Sequence, residues 1–241
     1  MIKGIIFDYG GTLDSRGVHW SEVLWEGYCL AGVPIDKETF RAAYVEGERA
    51  LARERIILPQ DDFAALLRKK VDIELSHLPE VPGDSTRARW TDVIASYCDN
   101  AARTCIAEAR PVLETLQRES YELMLVSNFY GNIDEVLRAY GIRQYFKGII
   151  ESAVVGVRKP NPTLFRLGVD ALELPSSEVL VVGDSLRKDI EPAEQLGCDV
   201  LWLKGKGWTA DDDAQTHPHT ITRIGEVLDY VHDQQTNNHP K

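Results

Sequence analysis

Gly4-Ile5-Ile6-Phe7-Asp8-Tyr9-Gly10-Gly11-Thr12-Leu13-Asp14, near the start of the chain, and Val179-Leu180-Val181-Val182-Gly183-Asp184-Ser185-Leu186-Arg187-Lys188-Asp189, far downstream, share one plan: a short apolar run that breaks on an aspartate. Apolar runs of this length, bounded by turn residues, read as buried strands. The ends of such strands are where α/β sheets put their ligand crevices. Two carboxylates brought there by different strands can share one Mg²⁺, a hard cation that takes a few carboxylates and keeps several waters. The two stretches together predict a metal and phosphate site at the rim of a parallel sheet.

Working outward, further strand-like runs fall at 3–7, 122–126, 148–151, 179–183 and 200–203. Most are too continuously apolar to face water on one side, which favours buried parallel strands. Helical patterns follow at 133–140, 163–172, 188–196 and 221–231, with Gly141 and Gly197 as stop signals. Strand and helix in alternation specify an α/β fold, a doubly wound, Rossmann-like parallel sheet with right-handed crossovers. The first strand breaks the rhythm, because residues 16–107 read as helix throughout, at 20–31, 37–55, 61–77 and 84–105. So long an excursion is better read as a separate lid than as a loop. The expected organisation is a core of residues 1–15 and 108–232, an all-helical insert at 16–107 with linkers near 14–18 and 107–111, and a disordered tail at 233–241.

Between the two aspartate stretches lie Leu123-Met124-Leu125-Val126-Ser127-Asn128, a strand ending in a hydroxyl, and Val157-Arg158-Lys159-Pro160-Asn161-Pro162, a lysine in a proline-stiffened turn. Asp8, Ser127, Lys159 and the Gly183-Asp184 pair with Asp189, in that order, resemble the haloacid dehalogenase superfamily over residues 4–203. The resemblance implies a helical cap at the position of the insert and an aspartate nucleophile, Asp8, which would form an aspartyl-phosphate and split one hard displacement into two. It also implies Mg²⁺ held by Asp8, Asp184 and the backbone carbonyl of Gly10, with Asp189 joining through water or orienting Lys159. Ser127 would bond a phosphoryl oxygen, Lys159 would neutralise charge on the phosphate and on Asp8, and Asn128 would add a contact. Gly10 and Gly11 would let the backbone approach the ligand. One residue departs from the pattern: family phosphatases carry a second Asp two positions after the nucleophile, and this chain has Gly10. Another residue, Asp14 or His19 being nearest in sequence, would then supply the proton, or the leaving group would need none, or phosphate would be bound without efficient turnover.

Other readings compete. Gly183-Asp184-Ser185-Leu186 spells an esterase signature, with Asp229 and His232 as triad partners of Ser185, but it comes too late in the chain for that family's sheet and leaves Asp8, Ser127 and Lys159 unexplained. A 2-haloacid dehalogenase would dispense with the second Asp, but also with the acidic block at 183–189. A phosphate-binding protein without catalysis rests on Gly10 alone. The composition, 44% apolar and 27% charged, suits a globular chain. Its 27 basic against 38 acidic residues give a net charge of −11, which disfavours nucleic acid. No run reaches membrane-spanning length, and Cys29, Cys98, Cys105 and Cys198 lack metal-ligand spacing. The expectation is a cytoplasmic enzyme with reduced thiols that acts on a small phosphorylated metabolite, its oligomeric state left open.

Overall fold

The computed structural model describes residues 1–237. Six strands, β1 (Gly4–Phe7), β2 (Glu122–Ser127), β3 (Gly148–Glu151), β4 (Val179–Gly183), β5 (Asp199–Leu203) and β6 (Thr220–Ile221), form one all-parallel sheet in the order β3-β2-β1-β4-β5-β6. Gly4 pairs with Glu122 on one side and Val179 on the other, so β1 lies between the two halves where the winding reverses. Alternate residues of a strand face opposite ways. Ile5 and Phe7 accordingly join the larger core cluster, while Ile6 joins a second one with Met124, Val126 and Val181.

The larger cluster packs against α4 (Asp84–Arg118), α5 (Ile133–Ala139) and α10 (Glu226–Asn237), and the smaller against α7 (Thr163–Leu172) and α8 (Glu191–Glu194). The remaining helices are α1 (Trp20–Ala31), α2 (Lys37–Arg53), α3 (Phe63–Ser76), α6 (Ser152–Val155) and α9 (Ala210–Ala214). In the insert, Asp36 and Asp62 cap α2 and α3 by accepting from the amides of Thr39 and Ala65, each at 2.8 Å. Side chains from α1 to α4, such as Tyr28, Phe40, Leu66 and Ile94, bury one another between these helices.

Several sequence expectations change. The linker at 107–111 is absent, because α4 runs unbroken through Pro111. Its buried positions Cys98, Ala102, Cys105, Ala109, Val112 and Leu116 keep helical spacing across the expected boundary, so packing holds the helix even though Pro111 cannot donate its hydrogen bond. The insert also shares its core with the sheet, since Tyr9 stands edge-on to Phe63 of α3 at 6.2 Å and to Phe129 at 5.5 Å. At the sheet edge β3 is only partly buried, and the helix expected at 221–231 resolves into β6 and α10. Residues 233–237, expected in a disordered tail, continue α10, where the hydroxyl of Thr236 donates to the carbonyl of His232 at 3.1 Å. The rest of that tail, 238–241, lies outside the described residues. Three of the four cysteines are buried, Cys29 is exposed, and all four are free thiols.

Candidate active site

Asp8 follows β1 and Asp184 follows the adjacent β4, so neighbouring strand ends deliver both carboxylates to one point. Asp189 reaches the same point because residues Leu186–Ile190 form a wide π-helical turn in place of the expected helix start. Ser185 closes that turn: its carbonyl accepts from Asp189 at 2.8 Å, and its amide donates to Asp189 Oδ2 at 3.0 Å. One oxygen from each of Asp8, Asp184 and Asp189 lies within 4.8 Å of the others. Lys159 Nζ donates to Asp8 Oδ1 and to Asp189 Oδ1, each at 2.7 Å, in a nearly dry setting. Burial works against this ammonium, but the charges of Asp189 and Asp8 outweigh it and raise its pKa. Asp184 is pushed well above the usual carboxylate range by burial, then by Asp189 and Asp8. With all three carboxylates ionised, the one ammonium would leave a surplus of two negative charges. An all-oxygen donor set with that excess fits a hard divalent cation.

Three small residues make the convergence possible. Gly11 has φ +96°, and a Cβ there would sit 2.3 Å from the Asp184 carboxylate. A Cβ on Gly183 would sit 2.4 Å from that of Asp189. Thr12, which the sequence reading left without a role, places its hydroxyl 3.3 Å from Asp184 Oδ1 and 3.5 Å from Asp8 Oδ2; its place in the Gly-Gly-Thr turn was the available signal. Gly10 differs from Gly11. Its φ lies outside the left-handed region, and its nearest neighbour to a Cβ is Trp20 Cδ1 at 4.0 Å.

Ser127 is buried at the end of β2 and lines the same cavity as Asp8. Asn128 clasps the lysine loop: its Oδ1 accepts from the Lys159 amide at 2.9 Å and its Nδ2 donates to the Lys159 carbonyl at 3.2 Å. Its side chain therefore holds Lys159 in position, a role the sequence reading missed. Neither substitute proton donor sits as expected. Asp14 is buried away from that cavity and accepts from the Gly11 amide at 2.8 Å and from Trp20 Nε1 at 3.0 Å. Burial raises its pKa to about 8, against the pull of those bonds. His19 does line the cavity, but its Nδ1 accepts from the Ser21 amide at 3.2 Å as the cap of α1. Burial, aided by Lys188, lowers its pKa to about 4, so at neutral pH it is an uncharged ring.

The cavity encloses about 760 Å³ between the sheet rim and the insert, which contributes Tyr44, Glu48, Phe63 and Lys70. Lys70 pairs with Glu48 Oε1, and Tyr130 from the core donates to the same oxygen at 2.9 Å. The loop after β5 leans on the insert as well, with Trp208 5.5 Å from Tyr44 and 5.2 Å from His19. Ser185 faces this cavity, but His232 lies exposed on α10 and bonds Glu119 at 2.9 Å. The esterase triad is thus not assembled.

Comparison with known proteins agrees with this geometry. The chain is 29% identical to a glyceraldehyde 3-phosphate phosphatase of Pyrococcus abyssi over 85% of its own length and 82% of that enzyme. It is 27% identical to a phosphoglycolate phosphatase of Pectobacterium atrosepticum over 99% and 97% of the two chains. Among solved structures, a 2-haloacid dehalogenase from Pseudomonas syringae superposes with a TM-score of 0.53 at 20% identity, covering 97% of this chain and all of the other, a likeness of fold. The family model for haloacid dehalogenase-like hydrolases matches residues 2–197, which take in the first four strands together with the insert, and the chain belongs to that family of hydrolases.

Proposed function

We propose that the protein is a Mg²⁺-dependent phosphatase of small phosphate esters with Asp8 as nucleophile. The observation that carries this reading is the buried cluster of Asp8, Asp184 and Asp189 around Lys159. An Asp8 oxygen attacks phosphorus, the ester P–O bond breaks, and the leaving oxygen departs with its electron pair. Water then attacks phosphorus and cleaves the aspartyl-phosphate, which restores Asp8. When bound by Asp8, Asp184, Asp189 and the Gly10 carbonyl, Mg²⁺ would supply charge stabilisation at the phosphoryl oxygens. Lys159 holds Asp8 in place and donates to the phosphoryl group, Ser127 bonds another of its oxygens, and Asn128 fixes the lysine loop. Preorganised charge of this kind is the main catalytic contribution in phosphoryl transfer. The relatives named as phosphatases support the same chemistry.

The test is phosphate release from p-nitrophenyl phosphate with Mg²⁺ and with EDTA, for the wild type and Asp8→Asn. Metal-dependent release that vanishes in Asp8→Asn is expected. Undiminished turnover in that variant would end the nucleophile assignment. Halide release from 2-chloropropionate in place of phosphate release would favour the dehalogenase alternative.

A further inference from the structure

The loop that follows Asp8 uses its carbonyls unevenly. The Tyr9 carbonyl accepts from the amides of Thr12 at 3.1 Å and Leu13 at 2.9 Å, and the Gly11 carbonyl accepts from the Gly17 amide at 2.6 Å. The Gly10 carbonyl between them accepts no hydrogen bond among the described residues, although Gly10 lines the same cavity as Asp8. A peptide between two glycines turns easily, because no Cβ restricts the backbone on either side. What holds this one is its amide end: the Gly11 N–H donates to Asp14 Oδ1 at 2.8 Å. The bond does not depend on the charge of Asp14, since a neutral carboxyl keeps an accepting oxygen.

The Gly10–Gly11 peptide is trans, so its N–H and C=O point in opposite directions. Asp14 is 1% exposed and lies on the far face of the loop, where it lines a groove between α1 and α4 and not the cavity that Asp8 lines. An N–H drawn to that face turns the Gly10 carbonyl towards the Asp8 side. The carboxyl is itself held, since its Oδ2 accepts from Trp20 Nε1 at 3.0 Å and the Trp20 ring stands edge-on to Phe63 at 5.2 Å. Resting on the Mg²⁺ site of the proposed function, we propose that Asp14 is a positioning residue for the cation. By holding the Gly11 amide, it aims the Gly10 carbonyl at the cluster of Asp8, Asp184 and Asp189.

The test reads the metal and not turnover. Calorimetry measures Mg²⁺ binding to the whole protein, and Mn²⁺ in the same site reports its bound waters through the broadening of its electron paramagnetic resonance lines in isotopically labelled water. Asp14→Ala should weaken Mg²⁺ binding by about 10–100-fold, the usual worth of a group that orients a metal ligand, and should add one water to Mn²⁺. Asp14→Leu, with the same branching and no acceptor, replaces it if Asp14→Ala does not fold. Trp20→Phe leaves the Gly11 bond in place and should stay close to the wild-type affinity. Asp14→Asn in the Trp20→Phe background, where the new amide faces no competing donor, should recover most of the affinity and the wild-type water count. A merely structural Asp14 would lower the melting temperature of the metal-free protein without moving the Kd or the water count, and that result would overturn the proposal. So would an Asp14→Asn/Trp20→Phe protein no better than Asp14→Ala. A wild type that binds no Mg²⁺ would overturn the metal reading itself, and the role of Asp14 with it.

Discussion

Gly10 and Gly11 are adjacent and chemically identical, but the fold asks opposite things of them. Gly11 is needed twice, for its φ of +96° and for the 2.3 Å approach of Asp184. Gly11→Ala should lower stability by about 1–3 kcal/mol from backbone strain alone and should abolish Mg²⁺ binding, as read by thermal shift and calorimetry. Gly10 has neither constraint, so Gly10→Asp should fold and restore a proton donor beside the leaving oxygen. Hydrolysis of alkyl phosphates should then rise by up to about 10²–10⁴-fold, with much less change for p-nitrophenyl phosphate. Equal gains on both substrates would show that proton delivery was not what the wild type lacked. His19 makes the third prediction. Its pKa is about 4 when folded and about 6.5 when unfolded, so between these values the unfolded chain binds a proton that the folded chain refuses. Its contribution is complete above the unfolded value and is lost as pH falls towards 4. The wild type should lose more stability between pH 7 and pH 4.5 than His19→Asn, which keeps a capping side chain for α1. Urea midpoints at the two pH values check this, and equal losses would place the ring in water.

Strand ends and one turn, rather than whole domains, assemble the chemistry. β1 and β4 are neighbours, so Asp8 and Asp184 meet because of sheet order, and the Leu186–Ile190 turn folds Asp189 back onto Lys159. A cation shared by these elements ties them together only in the folded state. Saturating Mg²⁺, at about 100 times its Kd, should therefore raise stability by about 2.7 kcal/mol, a shift of several degrees in Tm. Asp184→Ala should remove that shift, and an unchanged one would move the metal elsewhere. The fold class, the first five strands and the four insert helices were legible in the sequence, because their periodicity and caps are local. Three features were not. The two-residue β6 is too short to show a period, the π turn depends on Ser185 and Asp189 bonding each other, and the unbroken α4 depends on core contacts that outweigh Pro111.

At the scale of the whole molecule, the insert and the sheet share one hydrophobic cluster, which contains Phe7, Tyr9 and Leu13 alongside Tyr28, Phe40 and Leu66. The loop after β5 adds a polar seam, with the Lys206 carbonyl accepting from the His19 amide at 2.8 Å. Unfolding should therefore be a single cooperative transition, with near-UV and far-UV circular dichroism tracing the same urea curve. A separate earlier step for the insert would contradict the shared core. The sequence by itself determined the α/β class and the helical insert and singled out Asp8, Ser127, Lys159, Asp184 and Asp189 as site candidates, because strand patterns and motif order are properties of neighbouring residues. Only the tertiary structure decided that Gly11 is obligatory while Gly10 is free, that Asn128 serves Lys159, and that Asp14 is turned away from the cavity. Each of those facts depends on what lies across the site from the residue, and that distance is closed by packing and not by the chain.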